Sequence, residues 1–105
     1  MLGEFEQLVL LAILRARDDA YGVSIRRAIA DRSGRDVSLA AVYTTLARLE
    51  EKGFVTTRLG DPTPERGGRR KRYYAVSAAG RRSVRDSVEV LRRMARGLDL
   101  GLEAP

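Results

Sequence analysis

Four consecutive cations, Arg69 to Arg72, lead directly into Tyr73 and Tyr74 near the middle of the chain. Guanidinium and ammonium groups bind phosphates and carboxylates, and a guanidinium can do so through two parallel hydrogen bonds. The alternating, apolar residues that continue to Val76 are typical of a β-strand. This segment therefore predicts a stiff arm with a cationic tip, and its chemistry is the binding of an anion.

Other chemistry is restricted by composition, because the 105 residues include no histidine and no cysteine. The commonest proton shuttle near neutral pH is therefore missing. Disulfides, zinc–thiolate sites and a cysteine nucleophile are also excluded. Serines and carboxylates remain, but a Ser–His pair cannot form. We expect no enzyme activity, no metal site and no cofactor.

The net charge of +6 and the isoelectric point near 10.5 indicate an anionic partner. Nucleic acid is the first candidate and an acidic membrane surface is the second. At the N-terminus two acids precede an apolar run, Leu8 to Leu14, which is too short to span a bilayer. We therefore expect a soluble, cytoplasmic protein with a single hydrophobic core.

Three helices are predicted in the first half of the chain. Glu4 to Arg17 is apolar on almost every side, which indicates that more than one surface covers this helix. A second helix runs from about Tyr21 to Arg32, with Asp18 or Asp19 as its cap, and ends at residues 33–34. The third begins after Ser38, buries the stripe 39, 42, 46 and 49, and closes at Gly53.

A hairpin and a final helix follow. Phe54 to Leu59 and Lys71 to Val76 are predicted as strands around a loop, with Tyr74 facing the core and Tyr73 exposed. The last helix is capped by Ser77. Its apolar residues recur at spacings of three and four as a heptad seam: Val84, Val88, Leu91, Ala95, Leu98 and Leu102.

The order of these elements predicts a mainly α fold with a small β-hairpin: a winged helix-turn-helix followed by a dimerisation helix. The third helix would enter the DNA major groove and the hairpin would be the wing that contacts phosphates. The predicted DNA-binding residues of the third helix are Ser38, Ala40, Ala41, Tyr43, Thr44, Thr45 and Arg48. Those of the wing are Arg66, Arg69, Arg70, Lys71, Arg72 and Tyr73.

Two features point to a homodimer: the first helix, apolar all round, and the seam on the last helix. A second subunit would cover both surfaces in a chain that is small for an independent core. The predicted dimerisation residues are Phe5, Leu8, Val9, Ala12, Val84, Val88, Leu91, Ala95 and Leu98. Residues 1–76 would form the DNA-binding domain and residues 77–105 the dimerisation helix and tail.

Three segments resemble the PadR family of transcriptional regulators, in the order and spacing of that family: AYGVSIRRAI, SLAAVYTTLARLEEKGFV and GGRRKRYYAVSAAG. The resemblance rests on Tyr21-Gly22, on Tyr43 in the third helix, on the basic and aromatic residues of the wing, and on Gly80 in the last helix. The single final helix is similar to the short branch of the family.

The resemblance implies a dimeric repressor that binds a palindromic operator, with its last helix packed on the first helix of the partner. Ala40 and Thr44 stand where the family often has glycine and proline. The chain has no tryptophan, so it lacks the aromatic drug site of some short members.

Two alternatives remain beside the repressor. One is a sensor whose small-molecule effector binds between subunits, near Leu8, Val9, Ala12 and Leu91, and releases DNA. The other is a winged helix that acts as a protein-interaction module, although such a module would not need an excess of positive charge on its wing.

Overall fold

Four helices and one antiparallel hairpin make up the fold of the computed structural model, which describes residues 2–61 and 70–102. The elements are α1 (Glu4–Ala16), a short 3-10 turn (Arg17–Asp19), α2 (Gly22–Ser33), α3 (Leu39–Glu51), β1 (Val55–Leu59), β2 (Arg72–Val76) and α4 (Ala78–Ala95). This is the predicted fold class, and the first three helices begin and end within a few residues of their predicted positions. No helix among these residues is both long enough and apolar enough to cross a membrane.

The ends of α3 are set by the two residues predicted to set them. The Ser38 hydroxyl accepts a hydrogen bond from the Ala41 N–H at 3.0 Å and caps the first turn. At the other end Gly53 has φ +76°, a left-handed conformation that costs glycine little. The Phe54 N–H then donates to the Leu49 carbonyl at 2.9 Å and closes the last turn.

The start of α2 differs from its prediction. Asp18 and Asp19 belong to the 3-10 turn and do not cap the helix; the N-cap position is Tyr21. Ser24 reaches back instead: its hydroxyl accepts from the Tyr21 N–H at 3.0 Å and donates to the Asp19 carbonyl at 2.6 Å. The helix ends at Gly34, with φ +74°, as predicted.

The core lies where α1, α2 and α3 meet, and the hairpin and α4 cover its sides. Its largest fully buried side chains are Leu10 and Ile13 of α1, Ile25 of α2, and Leu46 and Leu49 of α3. Val55 and Tyr74 add the inward face of the hairpin, and Val84 adds α4. The predicted inward orientation of Tyr74 is therefore confirmed.

The hairpin is held against the helices by backbone hydrogen bonds. Val55 pairs with Val76 and Thr57 with Tyr74, so the inward side chains of the two strands face the core together. The Tyr74 N–H donates to the Ala20 carbonyl at 2.8 Å, and an isolated bridge joins Tyr21 to Tyr73. The residues before α2 thus act as a short third strand beside β2.

The last helix begins as predicted and ends earlier. The Ser77 hydroxyl accepts from the Gly80 N–H at 3.1 Å and donates to the Gly53 carbonyl at 2.6 Å. The helix stops at Ala95, and Gly97 follows with φ +85°. The prediction that the seam continues along the helix through Leu98 to Leu102 is wrong, because a left-handed glycine, Gly97, follows the end of the helix.

Candidate nucleic-acid interface

The exposed face of α3 carries small side chains in its first two turns. With 3.6 residues per turn, burial of Val42, Leu46 and Leu49 turns the opposite side of the helix to solvent. That side holds the exposed residues Ala40, Tyr43, Thr44, Ala47 and Arg48. Short side chains permit close approach to base edges in a major groove, which admits a helix.

Thr45 does not belong to this face. Its side chain is only 6% exposed and lies with the buried stripe, between Val42 and Leu49. The prediction that Thr45 reads bases is therefore wrong, because its position along the helix turns it inward. Ala41 is half-buried, and the Ser38 hydroxyl is already engaged as the helix cap.

Thr44 offers two kinds of contact at the exposed face. Its hydroxyl donates to the Ala40 carbonyl at 3.0 Å, which occupies the only proton of the group and fixes its direction. The oxygen can still accept a hydrogen bond, and the methyl group can pack against the methyl group of thymine.

Tyr43 is held at the junction of α3 and α2. Its side chain is 45% exposed, and the ring lies so close to Gly22 that a Cβ atom there would overlap the Tyr43 hydroxyl. The first turn of α2 therefore sets the position of the phenol. The position of the Tyr43 hydroxyl beside the N-terminus of α2 suits contact with a phosphate.

The wing places its cations on the same side of the molecule as Tyr43. Arg70, Lys71 and Arg72 are exposed, whereas Arg66 and Arg69 lie outside the described residues. One open cleft of about 480 Å³, here called the wing cleft, is lined by Tyr21, Val23, Tyr43, Arg70, Lys71, Arg72 and Tyr74. Side chains of α2, α3 and the wing thus converge on a single cationic concavity.

Individual wing cations are oriented by neighbouring side chains. The Lys71 ammonium lies 4.3 Å from the centre of the Tyr21 ring, within the range of a cation–π contact. Arg72 donates from Nη1 to the Thr57 hydroxyl at 3.3 Å. Tyr73, predicted to be exposed, is half-buried between Tyr21 and Arg58.

The two cations near the end of α3, Arg48 and Lys52, have different surroundings. Arg48 is exposed, but Lys52 donates to Glu6 Oε2 of α1 at 2.7 Å. That hydrogen bond, with a smaller contribution from the Gly3 N–H, holds the pKa of Glu6 below its usual value despite partial burial. Lys52 therefore links the end of α3 to α1 while its side chain stays partly exposed.

Three contributors to this surface escaped the sequence prediction. Ala47 lies on the exposed face of α3, and the wing cleft is also lined by Val23 of α2 and by its N-cap residue Tyr21. The positions of the buried stripe on α3 could have predicted that Ala47 lies on the opposite, exposed face. The contribution of α2 depends on the angle between helices, which no spacing within one helix encodes.

The predicted dimerisation residues fall into two groups. Val9, Ala12 and Val84 are at most 4% exposed within the protomer, so the prediction that they face a partner is wrong: they form its own core. Phe5, Leu8, Val88 and Ala95 are half-buried, and Leu91 and Leu98 are 63% and 64% exposed. Leu11 and Met94, which were not predicted, add exposed apolar surface on α1 and α4.

Two apolar grooves flank α1. The first, of about 320 Å³ against α2, is lined by Leu8, Leu11, Ala12, Arg15, Ala28, Ile29, Arg32 and Ser33. The second, of about 350 Å³ against α4, is lined by Leu11, Leu14, Arg81, Val84, Arg85, Val88, Glu89 and Arg92. Of the four residues predicted around an effector cavity, Leu8 and Ala12 line the first groove, whereas Val9 and Leu91 line neither.

Comparison with known proteins finds a matching family and a relative that spans nearly the whole chain. Residues 10–86 match the model of the transcriptional regulator PadR-like family. An uncharacterised protein of Lysinibacillus sphaericus is 28% identical over 103 residues, which span 96% of this chain and 90% of that protein.

Solved structures share the fold. A PadR family transcription regulator from Clostridium difficile R20291 superposes with a TM-score of 0.72 at 22% identity, over 88% of this chain and 92% of its own. One from Eggerthella lenta gives 0.69 at 24% identity, over 90% and 81% of the two chains. Members of the family are transcription regulators and not enzymes, and the match covers most of the sequence from α1 into α4. The chain therefore belongs to the PadR-like family of transcriptional regulators.

Proposed function

We propose that this protein is a homodimeric repressor that binds a palindromic DNA operator. The observation that carries the proposal is the wing cleft, where Tyr43 and the wing cations face one concavity beside the exposed face of α3. A duplex seated on α3 would bring its backbone to these cations. Such a protein acts where the chromosome lies, in agreement with the expected cytoplasmic location.

Within this interface affinity and specificity have different sources. Cations of the wing release counterions from phosphates and contribute binding to any sequence. Side chains on α3, above all Thr44 and Arg48, contact base edges and determine which sequence is preferred. Repression follows when the bound protein blocks access of polymerase to a promoter.

The dimer places two such surfaces on one duplex. Leu91 and Met94 leave apolar area exposed on α4, which a second subunit would cover. In this arrangement residues 1–76 bind DNA and residues 77–105 join the subunits. Two-fold symmetry then requires half-sites about one helical turn apart, or a multiple of it.

Selection of bound duplexes from a random pool tests specificity and symmetry together. We expect an inverted repeat, since each subunit presents the same α3 to one half-site. Enrichment of a single asymmetric motif would contradict the dimer on DNA. Recovery of no motif would contradict sequence-specific regulation.

The division of labour is tested by titrating variants against the selected site and a scrambled duplex at several salt concentrations. Arg70→Ala and Lys71→Ala should weaken both duplexes alike and reduce the log–log salt slope by roughly 0.9 for each phosphate that the variant no longer neutralises. Thr44→Val and Arg48→Ala should instead reduce the preference for the selected site. Arg93→Ala, which removes an exposed cation on α4, is the control and should change neither quantity.

A second candidate is a repressor released by a small-molecule effector. It is favoured by the groove between α1 and α4, where an apolar floor of Leu11, Leu14 and Val84 is bordered by Arg81 and Arg85. A thermal-shift screen with and without operator tests it: an effector should raise the melting temperature of the free protein and dissociate the complex. If no compound does both, the effector hypothesis fails while the repressor hypothesis stands.

A further inference from the structure

We propose that Tyr73 is a positioning residue that fixes the wing against the start of α2, and that it does not contact DNA itself. Together with Tyr21 and Arg58 it forms a set of neighbouring side chains that we call the cross-strand row. The inference rests on the proposed DNA binding, because its consequence is where the wing cations meet the phosphates.

The row crosses the hairpin and continues onto the segment before α2. Arg58 of β1 lies directly opposite Tyr73 of β2, and Tyr73 is bridged in turn to Tyr21. Side chains opposite one another on neighbouring strands point to the same face and contact each other. The three therefore lie side by side across three chain segments.

Contacts within the row are specific in geometry. The Tyr21 and Tyr73 rings meet edge to face, with centroids 5.8 Å apart and planes at 71°. The Arg58 guanidinium carbon lies 4.5 Å from the centre of the Tyr73 ring. Arg58 also donates from Nη2 to the Asp18 carbonyl at 3.1 Å, which ties β1 to the turn before α2.

The row also determines the place of a cation. Tyr21 contacts Tyr73 and, at 4.3 Å from its ring centre, the Lys71 ammonium. Lys71 lies two residues before Tyr73 and lines the wing cleft. A shift of the Tyr73 ring would therefore move Tyr21, Lys71 and the angle of the wing together.

Close packing from the loop side holds the Tyr73 ring in place. A Cβ atom at Gly60 would lie 2.5 Å from Cε2 of Tyr73, well inside van der Waals contact. The Gly60 N–H donates to the Lys71 carbonyl at 2.8 Å, so the backbone cannot retreat without breaking this bond. Glycine at position 60 thus leaves room for the ring, and alanine there would displace it.

The test measures the affinity of the full-length protein for a random-sequence DNA duplex as a function of salt. Tyr73→Leu keeps apolar bulk but removes the ring; it should weaken binding about threefold to tenfold and lower the salt slope by about 0.9 or more. Gly60→Ala, which leaves Tyr73 present but displaced, should give the same change. Tyr73→Phe retains the ring and should restore wild-type behaviour, and Thr56→Ala on the same face of β1 is the matched control.

A double-mutant cycle with Lys71→Ala separates positioning from a general decrease in stability. If the row positions Lys71, Lys71→Ala should weaken binding in the wild-type background and have little further effect with Tyr73→Leu. The inference is overturned if the two effects on affinity multiply, or if Tyr73→Phe is as defective as Tyr73→Leu, which would give the hydroxyl a direct contact. Absence of DNA binding by the wild-type protein would remove the proposed function along with it.

Discussion

Glu6 is a single carboxylate bonded on both oxygens. Oε1 accepts from the Gly3 N–H at 2.9 Å, and Oε2 accepts from Lys52 of α3 at 2.7 Å. Its side chain is only 13% exposed, so water screens the pair less than at an open surface. One residue thereby links the start of α1 to the end of α3.

Stability should consequently fall in acid through Glu6. Its pKa in the folded protein lies below the ordinary value of 4.5, so the stabilisation is complete above that value and lost as pH falls through the folded pKa. Glu6→Gln should lower the free energy of unfolding by about 1 kcal/mol near neutral pH and by less in acid. Thermal unfolding across that range measures this.

Lys52→Met removes the other partner and should flatten the same part of the pH profile. If the wild-type protein and Glu6→Gln lose stability in parallel as pH falls, the Glu6 carboxylate does not contribute to the acid dependence of stability.

The effect of Gly22→Ala on stability should depend on whether Tyr43 is present. Alanine is a better helix former than glycine by up to about 1 kcal/mol, yet a Cβ at position 22 would overlap the phenol of Tyr43. Gly22→Ala should therefore destabilise the wild-type protein and stabilise the Tyr43→Ala variant. Urea unfolding of the four proteins decides this, and destabilisation in both backgrounds would show that another neighbour fills the space.

The sequence alone predicted the orientation of a side chain correctly where its residue type and its position in the periodic pattern indicated the same face. Tyr74 was predicted to face inward from its alternation with Val76, and the structure confirms it. Thr45 was misassigned because the buried stripe was drawn through aliphatic residues only. Its position, three after Val42 and four before Leu49, places it on that stripe whatever its polarity.

At the scale of elements, local chemistry determined the boundaries well. The caps Ser38 and Ser77 and the terminal glycines Gly34 and Gly53 act as predicted, since each depends on residues a few positions away. The seam on α4 was extended too far because its spacing persists beyond Gly97, where the chain is no longer helical. Periodicity has structural meaning only while the helix lasts.

The spacing of apolar residues along the sequence could not predict which elements pack against one another. The apolar residues of α1 predicted that more than one surface covers this helix, and this is confirmed. Val9 and Ala12, however, face the protomer's own core and not a partner. An apolar stripe looks the same whether its partner belongs to the same chain or to another. The share of Tyr21 and Val23 in the wing cleft likewise depends on how α2 crosses α3.

Gly80 provides a prediction at this scale. It brings α4 so close to the hairpin that a Cβ would collide with the carbonyl of Phe54, and a backbone atom cannot rotate away. Gly80→Ala should therefore cost about 2 kcal/mol of stability, although alanine favours helices. Gly3→Ala is the control, since its Cβ would meet only Glu6 Oε1 at 3.6 Å; equal effects in chemical unfolding would contradict close packing of α4.

At the scale of the whole molecule, the wing cations and the exposed apolar residues of α4 lie on different elements. Cations of the wing face the cleft beside α3, whereas Leu91 and Met94 are exposed on the last helix. The proposed DNA binding and the proposed self-association should therefore respond to different substitutions. Recognition of an inverted repeat requires both, because one protomer contacts only one half-site.

Leu91→Arg should separate the two activities. Leu91 is 63% exposed in the protomer, so an arginine there disturbs no core contact, but in the proposed dimer it would bury a charge without a partner. Sedimentation should show a folded monomer that binds a single half-site as wild type does and loses about a hundredfold or more in affinity for the full repeat. Leu100→Arg, at 57% exposure beyond the helix, should remain dimeric. A wild-type protein that sediments as a monomer, or a Leu91→Arg variant that still dimerises, would show that this face of α4 is not the interface.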